Sequence, residues 1–111
     1  MEAKDLRIGN FVKLIYGDKP FNVVTAIDND YISVDEITFD FTTDDEIEPI
    51  EITKEWLIVF GFKQRKNLYF LNGFLVYNLA KFEITYGSEN SPLKYVHELQ
   101  NLHFALTKKE L

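Results

Sequence analysis

Leu68-Tyr-Phe-Leu-Asn-Gly-Phe-Leu-Val-Tyr-Asn-Leu79 is two apolar runs joined by Asn72-Gly73. Asn-Gly is the strongest short-range hairpin signal, because both residues tolerate the positive φ of a type I′ turn. The stretch therefore predicts antiparallel strands over Leu68–Leu71 and Phe74–Leu79, and Phe82–Tyr86 reads as a further strand after them. Upstream, apolar residues alternate from Phe11 to Phe41, the pattern of strands with one buried face. Four strands are expected there: Phe11–Tyr16, Phe21–Ile27, Tyr31–Asp35 and Ile37–Phe41, with turns at Gly17–Pro20 and Asp28–Asp30. A small curled sheet or SH3-like half-barrel follows.

Between the two β segments, Thr42–Glu46 has no apolar residue and reads as a loop, and Pro49 keeps Ile47–Ile52 from being a central strand. Thr53 then suits the N-cap of a short helix with Glu55 in its first turn and Gly61 as its left-handed terminator. Phe62 falls where it packs back on Leu57, with Trp56, Leu57 and Phe60 as core anchors. After Gly87–Asn90, Ser91 as N-cap and Pro92 as first helical residue predict a final helix to about Thr107. The expectation is a single α+β domain over residues 1–111 with this helix packed on the sheet.

A chain of 111 residues with 46% hydrophobic and 27% charged residues has the size of one folding unit. It contains no Cys, which excludes thiolate metal sites, thiol nucleophiles and disulfides. No apolar run approaches the roughly 18 residues that span a bilayer, and Met1–Asp5 is charged where a signal peptide would be basic and then apolar. A soluble, cytoplasmic protein without membrane contact is expected. The net charge of −6 argues against general nucleic-acid affinity, which draws on clustered Lys and Arg.

At about 100° per residue, Tyr95, Val96, Leu99, Leu102, His103 and Leu106 share one face of the final helix, which makes His103 a packing residue first. His97, Asn101 and Phe104 line up on the opposite face, with Leu93 and Gln100 nearby. That face is either a contact surface, for a partner or a second copy of the chain, or is covered by another part of the domain. A second feature is charge: Asp28 to Glu51 holds ten acidic residues and no Lys or Arg. It reads as a solvated surface, as a docking face for a basic partner centred on Asp44, Asp45 and Glu46, as an acidic DNA mimic, or as a divalent-cation site. Asp44-Asp-Glu46 lacks the ligand spacing and glycine of an EF-hand loop, so no metal is expected. Lys63, Arg65 and Lys66 form a basic loop able to hold a phosphate. The chain lacks a Gly-rich phosphate loop, a G-x-S-x-G elbow and an H-E-x-x-H helix, and His97 and His103 diverge by about 120° on one helix. Neither catalysis nor a cofactor is expected.

Three stretches carry a resemblance: Leu6-Arg-Ile-Gly-Asn10; Pro49-Ile-Glu-Ile-Thr-Lys-Glu-Trp-Leu57 continuing to Phe60-Gly-Phe62; and Lys94-Tyr-Val-His-Glu-Leu-Gln-Asn-Leu102 continuing to Phe104-Ala-Leu-Thr107. Together they resemble small uncharacterised proteins carried by phages and prophages of Bacteroides and related bacteria. The family ending has an aromatic where His103 stands, which implies packing there, and a glycine where Lys108 stands, whose loss lets the helix run on. The resemblance implies a phage accessory protein in the bacterial host cell, plausible as a counter-defence factor. Two target classes follow: a host protein, met through the acidic segment or the His97–Asn101–Phe104 face, or a small nucleotide-type signal sequestered by aromatics with Lys63, Arg65 and Lys66.

Overall fold

The computed structural model describes residues 6–28, 30–40 and 46–111, Asp40 by its backbone only. Asp44 and Asp45 of the acidic candidate site lie outside the described residues, as do Met1–Asp5, Asn29 and most of the Thr42–Glu46 loop. The fold is α+β, as the apolar periodicities predict, and it divides into two compact units. The first comprises residues up to Ile50 together with Val96–Glu110, and the second comprises Glu51–Tyr95 with Leu111.

In the first unit, β1 (Phe11–Leu14), β2 (Asn22–Ile27), β3 (Tyr31–Val34), β4 (Ile37–Asp40) and β5 (Ile47–Glu48) form a curled antiparallel half-barrel in the order β4-β3-β2-β1-β5. The curl has a local cause. The β2–β3 register shifts between Val24 and Ala26, so Thr25 is an extra residue, and such a bulge bends its strand and raises its twist. Val12, Val24, Ile32, Val34 and Ile47 fill the buried core, with Leu6, Leu14 and Phe39 packed against it. Helix α2 (Val96–Thr107) packs on β1. Pro49 follows an edge strand of two residues, where a missing N–H breaks no ladder.

The β3–β4 turn departs from the sequence reading. Val34 pairs with Ile37, so Asp35 and Glu36 are the two turn residues, at φ 50 and 69. This is a type I′ arrangement without the glycine that normally announces it. The Asp35 carboxylate holds it, accepting from the Val23 N–H at 3.0 Å and from the Asn22 amide at 2.6 Å. Lys108 is similar: the helix ends at Thr107 and does not run on, because Lys108 takes φ 62 and donates its N–H to Phe104 O at 2.7 Å. That is the left-handed cap without its glycine. A side chain at such a φ costs on the order of 1 kcal/mol, so Glu36→Gly and Lys108→Gly should each stabilise the protein by about 0.5–1 kcal/mol in urea denaturation. Unchanged or lowered midpoints would show that these turns carry no strain.

In the second unit, α1 (Lys54–Val59) follows its sequence signals closely. Thr53 accepts from the Trp56 N–H, and Gly61 sits at φ 97. Phe62 N–H donates to Leu57 O at 2.9 Å and Gly61 N–H to Ile58 O at 3.0 Å, the paired bonds of a Schellman ending. Of the three expected anchors only Leu57 is fully buried; Trp56 and Phe60 are half-buried, their rings 5.6 Å apart.

The remaining strands β6 (Lys63–Arg65), β7 (Leu68–Leu71), β8 (Leu75–Asn78), β9 (Glu83–Tyr86) and β10 (Glu89–Pro92) form an antiparallel meander. Tyr69, Leu75, Tyr77 and Ile84 are its buried face, and the Tyr77 hydroxyl donates to Leu93 O at 2.6 Å. The Asn72-Gly73 hairpin is present with both φ positive. Its register pairs Leu71 with Leu75, so Phe74 is a third loop residue. Ser91 and Pro92 do not begin the final helix. Gly87, at φ 60, and Ser88 turn the chain into β10, an edge strand where Pro92 is tolerated. Helix α2 begins later, and its Val96 N–H donates to Ile50 O at 2.8 Å.

Candidate functional sites

The His97–Asn101–Phe104 face is partly covered, and the reason lies in the opposite end of the chain. Gly9, at φ 97, turns Arg7–Asn10 back on itself, with Asn10 N–H donating to Arg7 O at 3.0 Å. Helix α2 grips this turn by its backbone. Gln100 accepts from the Phe11 N–H at 2.8 Å and donates its amide to Gly9 O at 3.1 Å. Asn101 Oδ1 accepts from the buried Asn10 amide at 2.8 Å and from Arg7 Nε at 3.2 Å. The Arg7 guanidinium lies 4.3 Å from the centroid of the Phe104 ring and forks onto the Glu110 carboxylate. His97 is buried, while Asn101 and Phe104 are half-buried. Residues Arg7 to Phe11 of the same unit therefore cover part of this face. Gln100 serves the Phe11 and Gly9 backbone, and Asn101 serves the Asn10 and Arg7 side chains.

His103 packs as expected. It is buried, and Nδ1 lies 2.8 Å from Lys109 O; a carbonyl only accepts, so Nδ1 carries the hydrogen. Leu106, assigned to the packed stripe, is exposed near the helix end.

The acidic stretch separates into structural and available carboxylates. Asp35 belongs to the β3–β4 turn, and the Val23 N–H, then the Asn22 amide and Lys19, hold its pKa below the ordinary carboxylate value. In the second unit Glu51 pairs with Lys94 at 3.0 Å. Glu46 is half-buried and its backbone oxygen accepts from Ile15 N–H at 2.9 Å. Asp28, Asp30, Glu36 and Glu48 are exposed. On the β2–β4 surface, Ala26, Ile27, Asp28, Tyr31, Ser33 and Thr38 line a shallow depression of about 340 Å³. Tyr31, 51% exposed, is an aromatic that sequence periodicity placed in a strand without marking it as accessible. No three His, Asp or Glu side chains gather into a metal-binding group among the described residues.

The basic segment is not a loop but the edge strand β6. Strand alternation puts Lys63 and Arg65 on one face, and pairing sets Lys63 opposite Phe70. These three, with Gly61, Leu71, Asn72 and Gly73, line an open pocket of about 450 Å³. Lys66 stands apart from it, in the β6–β7 turn at φ 55. Phe70 was missed in the sequence because its partnership with Lys63 exists only through the β6–β7 register.

No protein-family model, curated protein or solved structure significantly matches this chain. Among the described residues, no helix is long and apolar enough to cross a membrane.

Proposed function

We propose that this chain is a non-enzymatic binding protein that engages a basic host protein through its acidic β3–β4 region, in keeping with the phage accessory role its sequence resembles. One observation carries the reading. The stretch with ten carboxylates and no cation includes the edge hairpin β3–β4, whose exposed Tyr31 lines a depression beside Asp28 together with the exposed Ile27 of β2. A purely solvating surface has no need of exposed aromatic and aliphatic side chains there. A tyrosine ring beside carboxylates suits a lysine or arginine side chain, by charge and by cation–π contact. Among the described residues β4 is an edge strand with no partner on its outer side, which an extended partner segment can extend.

The test is affinity capture from host lysate, followed by titration of the purified captured protein at low and high salt. Reversing Asp30 and Glu36, the exposed carboxylates of this hairpin, to lysine, together with Tyr31→Ala, should weaken binding about tenfold or more and flatten its salt dependence. An affinity that survives both changes would sink the proposal. Competition by duplex DNA would identify the partner as a nucleic-acid-binding protein and the acidic face as a charge mimic.

A further inference from the structure

We infer that the second unit carries a nucleotide-binding pocket between β6 and the β7–β8 hairpin, with Lys63 and Arg65 for phosphate and Phe70 for the base. The two cations project from one strand face into the same open pocket, and neither makes an ion pair among the described residues. No carboxylate lines the pocket, so both charges on its lining are cationic. An anion is the ligand class that such a pair recognises, and Arg65 adds the planar fork that matches phosphate oxygens.

Phe70 and Leu71 make the wall apolar, which a bare phosphate would not use. Phe70 is half-buried, so its ring is held by the sheet while keeping an accessible surface. Bases stack on such a ring with little regard to sequence. Gly61 and Gly73 lie on the lining without side chains, so a flat ligand can come close to the backbone at either end. A volume of about 450 Å³ lies within the range of small-molecule sites. This site is independent of the acidic hairpin, and its failure would leave the protein-docking proposal untouched.

The experiment is an amide NMR titration of the full chain with each of the four common ribonucleoside monophosphates, with adenosine and with inorganic phosphate. At least one nucleotide should shift the amides of Lys63–Arg65 and Phe70–Gly73. Lys63→Ala with Arg65→Ala should then raise its Kd about tenfold or more, and Phe70→Leu should weaken nucleotide but not phosphate. Lys63 and Arg65 are exposed, so their removal leaves the fold intact, and the variant's spectrum verifies this. No shifts in this segment at millimolar nucleotide, or an unchanged Kd in the double variant, would overturn the site. Inorganic phosphate binding as tightly as every nucleotide would overturn the assignment to nucleotides.

Discussion

Replacing Gln100 with leucine should destabilise the protein by about 3 kcal/mol, with little change in side-chain volume. The Gln100 side chain is 2% exposed and serves two backbone groups at once, the Phe11 N–H and the Gly9 carbonyl. Leucine answers neither, and a buried polar group stripped of its partner costs about 1–3 kcal/mol. Gln100→Glu should not rescue the loss. Its carboxylate still accepts from Phe11, but turns an oxygen against Gly9 O in place of a donor. Urea denaturation gives the energy, and hydrogen exchange at Phe11 locates it, because that amide should lose its protection in the variant. A loss below about 0.5 kcal/mol would mean that water enters and replaces both bonds. The grip also ties the Leu6–Asn10 stretch to the helix Val96–Thr107. Gly9 and Asn10 bond Gln100 and Asn101.

Asp35→Ala should cost about 2–3 kcal/mol and flatten the acid side of the stability profile. Its carboxylate serves the Val23 N–H, the Asn22 amide and Lys19, and bonds to a charged acceptor are the stronger class. Asp35→Asn should also fail: Asn22 already uses its own oxygen to accept from Leu14 N–H, so it would present a donor to the new amide's donor. The pH dependence follows from the lowered pKa, whose first cause is the Val23 N–H. A carboxylate with a depressed folded-state pKa contributes stability that is full above its unfolded value of about 3.9 and is lost as pH falls through the folded value. Wild-type stability should therefore fall below about pH 4, more steeply than that of Asp35→Ala. Glu110, lowered by its hydrogen bond to Arg7, adds a slope of the same sign in both proteins, so the difference between them isolates Asp35. Parallel profiles would show that the Asp35 network does not survive in solution.

The sequence alone determined those elements whose signals and partners lie within a few residues. Thr53, Leu57, Gly61 and Phe62 specify the start and the Schellman end of α1, since every bond involved spans five residues or fewer. Asn72-Gly73 specifies a hairpin because its φ demand is local. Alternating apolar residues specified the curled sheet, whereas only its folding shows that Val12, Val24, Ile32 and Val34 face the core.

Where two local readings competed, tertiary structure chose. Ser91-Pro92 suits a helix start as well as an edge strand, and Gly87-Ser88, itself a two-residue hairpin signal, tips it toward the strand once β9 is present to pair. Asp35-Glu36 and Lys108 take left-handed backbone without a glycine; for Asp35 the compensation is a contact with Asn22 and Val23 more than ten residues away. The candidate sites were legible only as inventory. Sequence gave the acidic run and the cations Lys63, Arg65 and Lys66. Register alone brought Phe70 beside Lys63 and left Lys66 outside, because cross-strand partners depend on loop lengths that composition does not specify. The α2 face has the same dependence on distant residues. Helical periodicity shows which side chains point together, and only the return of Arg7–Phe11, some 90 residues earlier in the chain, shows that Gln100, Asn101 and Phe104 already have partners.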